Sequence, residues 1–156
     1  MGKVQILAVL TMDGCLSSEL YDKAHQDLCL DRCGLDEIRK KAFYRVTPDY
    51  SISMLHEWRK DCTNIRYLAE ATPDTADYIN GLLRMHAVDE IILYTVPFIS
   101  GSGRHFFKSA LPEQHWTLSS LKSYPNGVCR IIYILDKNQE IAKMCGKHTF
   151  LFSGIE

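Results

Sequence analysis

Nothing in this 156-residue chain approaches the roughly 20 consecutive apolar positions that a bilayer-spanning helix needs. Charge of one sign is missing too. The 18 Lys and Arg stand against 19 Asp and Glu, a net charge of −1, which removes any general electrostatic argument for nucleic acid or an anionic membrane surface. The six cysteines, Cys15, Cys29, Cys33, Cys62, Cys129 and Cys145, lie far apart except for one pair, without the spacing of a disulfide framework. The first apolar block follows Met1 too closely for a secretory leader, so we expect a cytoplasmic protein with free thiols, several of them buried. No internal repeat and no low-complexity segment is present. What remains is a chain long enough for one domain with a real core.

The stretch from Val88 to Phe107 organises the rest. After Asp89 and Glu90 it runs through Ile91-Ile92-Leu93-Tyr94-Thr95-Val96, a block typical of a strand buried on both faces. Pro97 breaks it, and Gly101-Ser102-Gly103 turns the chain where the backbone can adopt positive φ. Residues 3–10 form a second buried strand, stopped by Thr11-Met12-Asp13-Gly14. Ser17 or Ser18 caps a helix to about Leu30, and a charged helix is expected over 35–43. Residues 50–55 alternate like a short strand, 56–64 suggest a loop anchored by Trp58, and 65–68 form another strand. Thr72-Pro73-Asp74-Thr75 opens a helix to about His86 that buries Ala76, Ile79, Leu82 and Leu83. Residues 116–121 and 128–135 flank Pro125-Asn126-Gly127 as an antiparallel hairpin. The expected domain covers 1–136, and 137–156 is a helix or tail. The fold class is α/β, a mixed and mostly parallel sheet flanked by helices.

Together, Thr11-Met12-Asp13-Gly14, Val88-Asp89-Glu90, Val96-Pro97, Gly101 through Phe107 and Pro125-Asn126-Gly127-Val128 resemble the dihydrofolate reductase superfamily. The closer resemblance is to the reductase domain of bacterial riboflavin biosynthesis. It covers residues 1–16 and 65–135, and order and spacing carry it. The resemblance implies a three-layer α/β/α domain that binds NADPH and passes hydride to a pterin-like or ribosylamino-pyrimidine substrate. It places a substrate-contacting acid at Glu70 and the cofactor's phosphate loop at Ala71, Thr72, Asp74 and Thr75, and it implies a homodimer. The chain also departs from the pattern. Thr72 replaces a glycine, Asp74 brings a negative charge to the loop, and His56-Glu57-Trp58-Arg59-Lys60 replaces a Gly-Arg-x-Thr segment that holds the cofactor's adenosine end.

Two functions follow as expectations. One is an NADPH-dependent reductase of a small molecule, with Asp13 and Glu70 as catalytic candidates and Thr95 on the pocket floor. The other is a non-catalytic dimeric relative, a binding or interaction module that has lost part of the cofactor site. Asp13 sits where open α/β folds bind ligands, but Asp-Gly turn chemistry accounts for it equally well. Gly101, Ser102 and Gly103 can form an anion nest with Arg104, or simply let the chain leave a buried strand. His25, Cys29 and Cys33 recur every four residues, yet three ligands fall short of a structural zinc site, so we expect buried thiols and no metal. Neither nucleic acid nor membrane is expected as a partner.

Overall fold

The structure, a computed structural model, describes residues 2–16, 30–61, 64–101, 103–108 and 110–136. The expected helix after Ser17, the His25 and Cys29 positions, Ser102 and the segment after Asp136 lie outside the described residues.

Strand β1 (Lys3–Leu10) is buried along nearly its whole length because both of its faces are covered. Val4, Ile6, Ala8 and Leu10 join the core on one side of the sheet, and Leu7 and Val9 join the core on the other. Strand β2 (Cys15–Leu16) follows the Thr11-Met12-Asp13-Gly14 turn. A 3-10 turn over Leu30–Cys33 leads through Gly34, at φ 83°, into helix α1 (Leu35–Lys41). Next come β3 (Tyr44–Arg45), α2 (Ile52–Asp61), β4 (Arg66–Glu70), α3 (Ala76–Arg84) and β5 (Glu90–Thr95). The chain closes with β6 (Arg104–His105), β7 (Trp116–Ser123) and β8 (Cys129–Leu135).

The main sheet has the order β3-β4-β1-β5-β8-β7. Its first four strands are parallel, while β8 is antiparallel to both β5 and β7. Helices α2 and α3 cover one face through Leu55, Ala76, Ile79, Leu82 and Leu83. Leu30, Cys33 and Leu35 cover the other. The expected mixed α/β sheet with a C-terminal hairpin is therefore observed. A second, two-stranded ribbon pairs β2 with β6, Cys15 opposite His105. No helix among the described residues is long and apolar enough to cross a membrane.

One stretch differs from its sequence reading. Residues 50–55 do not form a strand and 56–61 do not form a loop, because helix α2 runs through both. Ser51 starts it, its hydroxyl accepting the Met54 N–H at 3.2 Å as an N-cap. Ile52, Leu55, Trp58 and Arg59 then share the inner face, with Leu55 fully buried. Polar Arg59 sits on that buried stripe because its Nη2 donates to Asp89 Oδ1 at 2.6 Å. Sequence pattern also missed β3, which pairs Tyr44 with Tyr67 and forms the outer edge of the sheet.

Candidate functional site

Strand β1 has parallel neighbours on both sides, β4 and β5. The order of connection reverses there, with β3 and β4 to one side and β5, β8 and β7 to the other. The crevice at the carboxyl ends of strands flanking such a switch point is where open α/β sheets bind ligands. Register puts Glu70 opposite Leu7 and Thr95 opposite Leu10, so the two candidate residues end the strands on either side of β1.

Glu70 does not stand alone. Arg39, from the last turn of α1, forms a two-point ion pair with it: Nε donates to Oε2 at 3.3 Å and Nη2 to Oε1. Both side chains are about one-fifth exposed, 20% and 23%, so the pair is held in place and still reached from solvent. The two-point contact fixes the plane and orientation of the Glu70 carboxylate. Sequence reading missed Arg39 because it is one cation in a charge-rich helix and lies 31 residues from its partner.

The loop after Glu70 is closed on itself. Ala71 N–H extends the β1–β4 ladder by donating to Leu7 O at 2.7 Å. Thr72 N–H donates to Thr75 Oγ1 at 2.8 Å, and that hydroxyl donates to Glu70 O at 2.8 Å. The N–H groups of Thr75 and Ala76 both reach Thr72 O, at 3.1 and 2.9 Å. Asp74 is exposed, and Asp77 carries a second carboxylate in the first turn of α3. Arg104 reaches this loop from β6, its Nη1 donating to Pro73 O at 3.3 Å and its Nη2 lying 4.0 Å from Asp77 Oδ2. Four amides already engaged and two added carboxylates are a poor match for a dinucleotide pyrophosphate, which needs open N–H groups at a helix N-terminus. The residues at 71–77 do not fit that part of NADPH.

The glycine turn is likewise occupied from within. Asp13 accepts the Ser100 N–H on Oδ1 at 3.1 Å and the Gly101 N–H on Oδ2 at 3.0 Å, and the Thr11 hydroxyl also donates to it. The Thr11 hydroxyl first, then the Gly101 and Ser100 amides, hold this carboxyl well below the usual carboxylate range. Asp13 thus stays ionised and has no proton to give. Gly103 is required for a different reason: a Cβ there would lie 2.6 Å from Ser100 Oγ and 2.9 Å from Cys15 Cβ. Beside it, Cys15 Sγ lies 3.9 Å from His105 Nδ1. Burial and the neighbouring Asp13 push the Cys15 thiol up, which keeps it protonated and a poor nucleophile. Thr95, half-buried, ends β5 between Leu10 and Cys129.

No family model and no curated protein sequence matches the chain. Solved structures do. A protein of Shewanella sp. PV-4 assigned to riboflavin biosynthesis superposes with a TM-score of 0.51 at 10% identity, over 86% of this chain and 99% of that one. RibD of Acinetobacter baumannii gives 0.50 at 11% identity, over 87% of this chain, which spans 58% of the larger protein. A likeness of this degree establishes the fold, the dihydrofolate-reductase-like α/β domain used by these riboflavin-biosynthesis proteins.

Proposed function

We propose that the chain is a cytoplasmic binding module on the riboflavin-reductase fold, which keeps the ligand side of the switch-point crevice and has given up the dinucleotide side. The observation that carries this is the contrast between two neighbouring groups. Glu70 is held by Arg39 and is still reached from solvent, whereas the amides of Thr72, Thr75 and Ala76 are spent within their own loop and that of Ala71 on Leu7 O of β1. A carboxylate fixed in this way suits a small nitrogen-rich ring with adjacent N–H donors, such as a pterin or an aminopyrimidine. Thr95, in register with Leu10, faces the other side of the sheet from Glu70, in register with Leu7. The module works as a homodimer, for which exposed Leu118 and Leu121, on one face of the last hairpin, offer an apolar surface. A light-scattering mass of one chain would contradict the dimer.

A second reading, an NADPH-dependent reductase of the same ring class, is favoured by Glu70 at the strand end where the resemblance puts a substrate-contacting acid. Calorimetry separates the two. We expect heat on adding pterin or 2,4-diaminopyrimidine, at least tenfold weaker binding in Glu70→Gln, and no heat from NADPH at millimolar concentration. Binding of NADPH, with ring-dependent oxidation that Glu70→Gln abolishes, would put the reductase first. Silence from both rings would sink the binding reading.

A further inference from the structure

Two basic residues face each other across the last hairpin. Register sets Lys122 of β7 opposite Arg130 of β8, and Arg130 opposite Tyr94 of β5, so the three side chains leave the same face of the sheet. Like charges opposite each other on an antiparallel pair repel, with their Cβ atoms only about 5 Å apart. Arg130 is half-buried and Lys122 exposed. Neither forms an ion pair among the described residues.

The Arg130 guanidinium is fixed in place. Its Nη1 packs against Gly34, where an added Cβ would lie 3.3 Å from that nitrogen. The Tyr94 and Tyr124 hydroxyls stand beside the same glycine. Both donate to Cys33 O at 2.8 Å and so fasten the turn before α1 to the strands. Lys122 Nζ lies 5.2 Å from the centre of the Tyr124 ring, which gathers both cations around one tyrosine. None of these neighbours neutralises the charge. Burial pushes the Tyr94 hydroxyl up to about 12, against the opposing pull of the Arg130 charge and hydrogen bond, so Tyr94 stays a neutral phenol. Arg130 Nε is buried and meets no acceptor among the described residues.

Taking a guanidinium out of water is costly unless an opposite charge accompanies it, and arginine is rarely buried without one. Here a second cation stands opposite and raises that cost. An anion seated against both removes the repulsion and the missing counter-charge together. A dianionic, tetrahedral group suits the pair better than a carboxylate. It balances both charges, and its oxygens meet the planar fork of arginine at two points. We propose that Arg130 and Lys122 form a binding site for a phosphate group, carried as free phosphate or as a small phosphomonoester. The site lies on β7 and β8, with β1 and β5 between it and Glu70 on β4, and it does not depend on the ring-binding reading.

The test uses the whole chain at constant ionic strength, with inorganic phosphate, glycerol 2-phosphate and acetate as probes. Binding is read by calorimetry and by the Arg130 Nε–H resonance, assigned with Arg130→Lys. We expect both phosphates at millimolar concentration to give heat and move the Nε–H signal, the tighter of the two naming the source, and acetate to do neither. Lys122→Gln, at an exposed position, should weaken phosphate about threefold to fivefold without lowering the melting temperature. Lys122→Glu sets a carboxylate opposite Arg130. Its melting temperature without phosphate should therefore exceed that of wild type, and the further rise that phosphate gives wild type should vanish. No Nε–H shift with either phosphate, equal affinity for acetate, unchanged phosphate binding in Lys122→Glu, or a lower melting temperature for that variant without phosphate would each overturn the proposal.

Discussion

Asp13 and Gly101, 88 residues apart, are joined by a 3.0 Å hydrogen bond from the Gly101 amide to the Asp13 carboxylate. The bond makes one unit of the turn after β1 and the turn after β5. The Ser100 amide and Thr11 hydroxyl complete it, while Met12 N–H adds a 2.7 Å bond to Phe98 O. An anion does sit in the nest formed by this glycine turn, and it is the protein's own side chain.

That arrangement has a pH signature. Asp13 has a depressed pKa in the folded state, whereas in the unfolded chain it titrates near 3.8, the ordinary value for an aspartate. Its contribution to stability is therefore present above the unfolded pKa and lost as pH falls from there through the folded pKa. Thermal melts taken from neutral pH down to about pH 3 should show wild type losing stability below about pH 4. Asp13→Asn should start lower at neutral pH and show a shallower acid loss. An equal slope in the two proteins would refute the assignment.

The buried pair of Arg59 and Asp89 makes a prediction about magnitude. Asp89 Oδ1 takes the guanidinium at 2.6 Å, and Oδ2 accepts the Val4 N–H at 2.9 Å, so this one carboxylate ties α2 to the start of β1. Removing one partner strands a buried charge. Arg59→Met should cost about 3–5 kcal/mol in urea unfolding. Adding Asp89→Asn should recover part of that loss, because the stranded charge is gone. Additive losses in the double variant would contradict the coupling.

How much of this was legible in the sequence follows from how local each signal is. Strands β1 and β5 announce themselves as contiguous apolar blocks, and the hairpin turns on Pro125-Asn126-Gly127, where Val128 N–H closes onto Asn126 Oδ1 at 3.2 Å. Helix α2 was hidden because a polar residue, Arg59, lies on its buried stripe, and the Asp89 that justifies it is 30 residues away. The same holds for Arg39 with Glu70. Residue type alone supplies the charge; only the topology supplies the partner.

Ser51 is the local cue that would have identified that helix. With its hydroxyl on the Met54 N–H at 3.2 Å and its carbonyl accepting the Leu55 N–H at 3.3 Å, it is an N-cap. Ser51→Ala should cost about 1 kcal/mol of stability, and Ser51→Asp should cost little or nothing. Urea denaturation measures both, and unchanged stability in the alanine variant would mean that the cap contributes nothing.

Asn80, fully buried on α3, joins that helix to the segment after β6. Its Nδ2 donates to Phe106 O at 2.8 Å and to Ala76 O at 2.8 Å, and its Oδ1 accepts the Lys108 N–H at 3.0 Å. Through these bonds the end of the Gly-Ser-Gly segment is fixed to the helix that begins at the Glu70 loop. Asn80→Ala strands the Phe106 carbonyl and the Lys108 amide in a site with little water, at about 1–3 kcal/mol for each group left unsatisfied. Asn80→Leu adds the same losses and a bulkier side chain. Hydrogen exchange separates a local effect from a global one: the Lys108 amide should lose protection by more than the drop in global stability, while the amides of β1 should lose only that drop. Lys108 protection that merely follows the global change would mean that the segment is held by something other than Asn80.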